Sequence, residues 1–196
     1  MQPATALVAI LYWLSLATWF GSAVFVAIAA PRIIRTVRES DPILPSVLSV
    51  NLEGQHGTLL AGGIVSNLLA ALTRVAYLCA GGLLIALAVE WVLVARAAGG
   101  LDRLVLPLVR SALFVAAVAL AVYDGRVVRP KVEEARRTYI DNADEPDVAN
   151  PARERFEQFG RESVTVLQFQ IFLLLGLVLF SGVGIARAGG VSVVFG

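Results

Sequence analysis

The chain holds one histidine, one cysteine and one methionine, and only 16% of its residues are charged. Each shortage removes a chemistry. Bis-imidazole haem ligation needs two histidines, and zinc or copper sites draw on several His, Cys or Met ligands, where this sequence offers His56, Cys79 and Met1. No metal or cofactor is expected. A single cysteine inside an apolar run provides no internal disulfide framework and carries no information about redox compartment. A serine nucleophile requires a histidine base, His56 is the sole candidate, and neither GxSxG nor a nucleotide-binding glycine motif occurs. The expectation is therefore a protein that is not an enzyme. A net charge of +1, with the basic residues gathered in particular loops, gives no broad positive field for nucleic acid.

What the chain has in excess is apolar surface. Hydrophobic residues make up 58% of it, and its mean hydropathy of +0.77 lies outside the range of a soluble domain, in which about 25% of residues are charged. The first apolar run, Thr5 to Ala30, stops at Pro31 and meets Arg32, Arg35 and Arg38. Ala27 and Ala29 resemble a signal-peptidase site. Yet the run far exceeds the usual 7–15 apolar residues of such a signal, the leader MQPAT is uncharged, and the positive charge follows the run instead of preceding it. The pattern predicts a retained helix of about 39 Å whose C-terminal end faces the cytoplasm, long enough for a hydrocarbon core of about 30 Å.

Three further runs, about 75–95, 104–123 and 164–186, reach spanning length. Four spans place the loops at 31–56 and 124–163 on one side, with eleven basic residues, and both termini on the other with Arg96, Arg103 and Arg187. The positive-inside rule then puts both termini outside. Residues 57–73 are apolar but, at about 25 Å as helix, short for a separate span. They read as a re-entrant or interfacial helix leading into the second span, with Gly62 and Gly63 permitting close approach to a neighbour. After Pro130 the residues Val132, Ala135, Arg136 and Tyr139 keep helical spacing, DNADEPDVANP reads as a turn, and Asn150–Pro151 suits the start of another helix. The fold class expected is all-α: an integral membrane four-helix bundle in one domain, with a cytoplasmic helical hairpin over about 124–163.

Four charged residues lie in or beside the spans, where charge needs a partner or a route to the interface. The second and third spans must run antiparallel, which brings Glu90 to the height of Arg110 and Arg74 to that of Asp124. Both are expected as ion pairs, read as structural latches or as steps on an ion or proton pathway. Ser15, Thr18 and Ser22, Ser66 with Asn67, and Gln168 with Gln170 suit hydrogen bonds between helices or the lining of a small polar pore. On the hairpin, Phe156 and Phe159 either close against Val132 and Tyr139 or, with Tyr139, form a surface for a protein partner.

The stretch WFGSAVFVAIAAP, with Gly21, Phe25 and Pro31, together with RPKV at Pro130 and FEQFGRESV, with Phe156 and Ser163, resembles a bacterial membrane family of unknown function related to the eukaryotic transmembrane protein two-hundred-five. Where that family often has histidine, this chain has Gly160. The resemblance implies a four-helix protein of the bacterial inner membrane, a relative associated with drug resistance and export, and no defined catalytic residues. Transport or efflux of small solutes or ions, by a homo-oligomer, is one functional expectation. A scaffold that recruits a cytoplasmic protein through the hairpin is the other. The lipid bilayer is the partner common to both.

Overall fold

A computed structural model describes residues 3–40, 56–96, 102–142 and 144–188, and the described chain is helical. The elements are α1 (Pro3–Glu39), α2 (His56–Arg96), α3 (Asp102–Tyr123), a π-helical turn (Asp124–Val128), α4 (Arg129–Asp141) and α5 (Pro146–Ala188). Four helical stretches are long and apolar enough to cross a membrane: Ala6–Glu39, Leu59–Leu93, Leu104–Asp141 and Pro146–Val183. This is the architecture of a multi-pass helical membrane protein.

Residues 57–73 form no separate re-entrant element. They are the first turns of a single 41-residue helix, α2, which runs through Arg74 without interruption. Arg74 divides the apolar pattern into two runs, but one exposed arginine costs a helix nothing, since its propensity is close to the best. Helix α1 likewise passes through Pro31 and continues to Glu39. A proline there forfeits the single backbone bond to the carbonyl of Ala27 and leaves the rest of the ladder in place. Helix α5 begins at Pro146, earlier than the Asn150–Pro151 start expected, so Pro151 lies inside it. Pro146 needs no backbone donor in the first turn, and the amide of Ala149 donates to the Glu145 carbonyl to close that turn.

Helices α3 and α4, joined by the π-turn, run antiparallel to α5 over their whole length. The facing residues step through the sequence in opposite directions at an even pace: Tyr139 packs with Ala149, Lys131 lies over Phe159, Ser163 bonds Asp124, Gln170 bonds the Ala117 carbonyl and Leu113 meets Gly176. Helices α1 and α2 pack along one another in the same manner, with Ser15 and Leu11 against Gly82. The main core joins α1, α2, α3 and α5, and Leu16, Trp19, Leu83, Leu174 and Leu177 at its centre are fully buried.

The helices are longer than a bilayer core of about 30 Å, and the arginine-rich end, the head, has a second cluster of its own. The beginning of α2, the end of α4 and the beginning of α5 share a second small core of Leu59, Tyr139, Ala149 and Ala152. Gly62 and Gly63 are the points of closest approach: a Cβ on Gly62 would come within 2.8 Å of the Phe156 ring, and one on Gly63 within 3.0 Å of the Arg136 guanidinium. Small residues there let the apolar start of α2 fill the space beside the α4–α5 pair.

Two neighbouring glycines of α2 provide a contrast. A side chain on Gly82 would overlap Ser15 Oγ, whereas one on Gly81 meets nothing within 4 Å. Gly82→Val should destabilise the folded protein by about 1–3 kcal/mol through overpacking. Gly81→Val should leave stability within about 0.5 kcal/mol. Unfolding in mixed micelles measures both.

Candidate functional site

Two clusters of paired polar side chains stand at the two ends of the apolar core, while the buried Ser15 and Gln170 lie between them. At the end away from the head, Arg110 of α3 donates from Nη1 to Glu90 Oε1 of α2 at 2.7 Å. One helical step on, Trp91 Nε1 donates to Ser111 Oγ at 2.9 Å. The Arg110 guanidinium also lies over the ring of Tyr12 in α1, 4.7 Å from its centroid, which places the cation on the negative face of the aromatic quadrupole. Ser181 Oγ donates its one hydrogen to the Leu177 carbonyl, so in the 2.5 Å contact between Tyr12 and Ser181 the phenol is the donor. A single chain of polar contacts thus runs through α2, α3, α1 and α5.

At the head end, Asp124 is the centre. It is buried, 8% exposed, with one carboxylate oxygen accepting from Arg129 Nε at 2.9 Å and the other from Ser163 Oγ at 2.6 Å. The expected partner, Arg74, is not used: it is exposed on the outer side of α2. The reason is the π-turn. In an α-helix a residue five places on is about 140° round the axis, but here the amide of Arg129 bonds the Asp124 carbonyl five residues back, and the widened turn brings the two side chains together. Gly125 makes room for this turn, because a Cβ there would come within 2.9 Å of the Tyr77 hydroxyl and 3.1 Å of Thr73 Cγ2. Leu69, Thr73, Asp124, Arg129 and Gln170 are among the residues lining an adjoining cavity of about 10 Å³, the space of one water molecule.

The remaining residues singled out by sequence are spread over the molecule. Tyr139 is buried between Leu59, Ala149 and Ala152. Phe156 packs on Gly62, and Phe159 lies beneath Lys131 with 5.5 Å between the ammonium and the ring centroid. These aromatics are structural parts of the head and form no common exposed patch. Ser163 is buried on Asp124; Pro130 opens α4; Gly21, Phe25 and Pro31 lie on the exposed side of α1. Among the intramembrane polar residues, Ser15 and Gln170 are buried while Thr18, Asn67 and Gln168 are exposed. The side chain of His56, and both chain ends at 1–2 and 189–196, lie outside the described residues. Among the described residues no three His, Cys, Asp or Glu side chains are placed to share a metal ion.

Sequence reasoning missed Arg129, Tyr12 and Ser181. A five-residue spacing signals nothing unless a π-turn is assumed, and Tyr12 and Ser181 are 169 positions apart. Comparison with known protein families, with characterised proteins and with solved structures gives no match, so the two polar ends are interpreted from their own geometry.

These pairings predict a clear order of stability. Removing Arg129 strands the buried Asp124 carboxylate, and Arg129→Gln should cost about 2–4 kcal/mol, while Arg74→Gln should be near neutral. At the other end, Glu90→Gln should destabilise more than the double change Glu90→Gln with Arg110→Met. Additive effects in that cycle would exclude a coupled pair.

Proposed function

We propose that the protein is a non-enzymatic membrane scaffold, anchored by four spanning helices, that offers its projecting head to a protein partner in the cytoplasm. The observation that carries this reading is the head itself. Helix α2, the continuous α3–α4 stretch and α5 all extend beyond what a bilayer core of about 30 Å requires, and their ends enclose a core of their own. The charges of α4 and early α5 point outward as Glu134, Arg137, Arg153 and Glu157, a surface suited to a polar partner. The excess of arginine at this end supports a cytoplasmic position for it by the positive-inside rule, with both termini on the far side. The resemblance of the α1, Pro130 and Phe156–Ser163 stretches to the bacterial family related to transmembrane protein two-hundred-five supports an inner-membrane location.

Movement of small solutes or ions is the second reading, favoured by one observation: a partly buried ion pair stands at each end of the core, as gates would. Against a path through a single copy stands the section between them, where Leu16, Trp19, Leu83 and Leu174 fill the interior and the buried polar groups are the isolated Ser15, Gln170 and Trp19 indole N–H, which form no continuous lining. A conducting form would have to part these side chains or run between subunits of a homo-oligomer.

The two readings separate in purified proteoliposomes under an imposed potential. The scaffold predicts proton and ion flux at the level of empty vesicles, for wild type and for Glu90→Gln alike. In cells, a photo-reactive group at Arg137 or Glu154 should yield one discrete protein adduct, and the same group at Leu78 in the apolar belt should not. Wild-type flux that is lost in a folded Glu90→Gln protein would overturn the scaffold in favour of transport.

A further inference from the structure

The apolar belt does not end at the same height on all sides of the bundle. Heights along the bundle can be read from its contacts. Gly125, beside Asp124 at the base of the head, touches Thr73 and Tyr77, and Gly63 faces Arg136 well into the head. On α1, equal steps along the antiparallel pair from the Ser15–Gly82 contact bring Phe25 opposite Leu72 and Ile28 opposite Leu69. Phe25 and Ile28 therefore stand at the height of the π-turn and the first turn of α4, and Ile64, next to Gly63, stands higher still.

At these heights the two sides of the molecule differ in kind. On the α1 side Phe25 is 63% and Ile28 50% exposed and the first exposed charge of α1 is Arg32; on the neighbouring α2 Ile64 is 38% exposed, and Arg74, near the height of Phe25, is an exposed charge whose long side chain can reach the headgroups. On the opposite side Arg126, Lys131 and Arg161 are all exposed. Charge begins on α1 roughly 12 Å further along the axis than on α3 and α5, at 1.5 Å per residue. The exposed face of α1 is continuous with the belt: Leu7, Ile10, Leu14, Phe25 and Ile28 are all more than one-third exposed. The same solvent that covers Leu14 is the one that suits Ile28.

We propose that the bilayer surface at the arginine-rich end crosses the bundle obliquely, so that the α1 face around Phe25 and Ile28 lies in acyl chains at the height where the α4–α5 side of the head stands in water. The occupant of this exposed apolar face is lipid. Length supports it: the apolar run of α1 rises about 39 Å against a core of about 30 Å, and tilt is the ordinary way to accommodate that excess. Arg126 and Arg161 then lie at the headgroup phosphates on the side where the surface is lowest, and Arg32 on the side where it is highest. Tyr77 and Tyr123, both exposed, occupy the amphipathic boundary zone near Arg126. The tilt also restricts the protein-binding part of the head to its α4–α5 side.

The inference rests on the membrane reading, and one set of nitroxide labels tests the two separately. Labels are attached at Ile28→Cys, Lys131→Cys and Leu78→Cys in a Cys79→Ala background, with the full chain in phosphatidylcholine–phosphatidylglycerol vesicles. Collision with molecular oxygen reports acyl chains and collision with a nickel chelate reports water. The expected result is an oxygen-to-nickel ratio at Ile28 several-fold above that at Lys131 and similar to that at Leu78. Nickel access at Ile28 equal to that at Lys131 overturns the oblique surface, as does an oxygen-rich Lys131. An immobilised Ile28 label reached by neither collider also overturns it, and identifies a protein cover such as a second copy or residues 41–55. A nickel-accessible Leu78 would instead refute the membrane reading itself. If Ile28→Cys fails to fold, Phe25→Cys on the same face replaces it.

Discussion

Four long apolar helices in lipid have little hydrophobic reason to choose one height over another, because sliding exchanges one oily contact for the next. The polar chain from Glu90 through Arg110 and Tyr12 to Ser181 removes that freedom. It includes one residue from each of the four helices of the core, and in a medium without water an ion pair shifted by one turn would leave two charges unpaired. Once α2, α3, α1 and α5 are held at this level, helical rise sets the height of every other residue. The fully buried Leu16, Trp19, Leu83, Leu174 and Leu177 layer and the Gly82–Ser15 approach are consequences of that register.

The register must be met again at the far end, where the fit is achieved by changing the helix. Regular α-geometry would turn Arg129 away from Asp124. The π-turn inserts the extra residue per turn that returns it, and it aims the other carboxylate oxygen at Ser163 of α5. Gly125 is what lets α2 come close enough to close the third side. The same turn sets the direction in which α4 leaves the bundle, and so places Tyr139 on Leu59 and Phe156 on Gly62. Membrane core and head are in this way one mechanical unit joined at a polar pivot. A partner bound to α4 would act directly on the Asp124 cluster.

Much of the architecture is contained in hydropathy alone. Runs of about 20 apolar residues have no stable alternative to spanning helices, since lipid satisfies no backbone group and only a helix satisfies its own. The equal height of Glu90 and Arg110 is likewise an arithmetic consequence of two helices joined by a short connection. Pattern failed where the chain departs from the average. Arg74 interrupts the hydropathy of α2 without interrupting its backbone, so residues 57–73 read as a re-entrant or interfacial helix leading into the second span, and in the structure they are the first turns of that same helix. Pro151 carries the signature of a helix start, yet Pro146 carries it earlier.

What the amino-acid sequence by itself determined is the class of structure: helical, with four runs long and apolar enough for a bilayer and most of its arginines toward one end. These are properties of composition and of short-range order along one chain. Only the tertiary structure decided which polar groups meet. Asp124 takes Arg129 and Ser163 in place of Arg74, Tyr12 finds Ser181 across 169 positions, and the hairpin aromatics face inward on α2 and α4. The physical reason is that pairing depends on azimuth as well as height. Sequence spacing encodes height along a helix well, but the rotation of each helix, and a single π-turn that resets it, emerge only when all four are packed together.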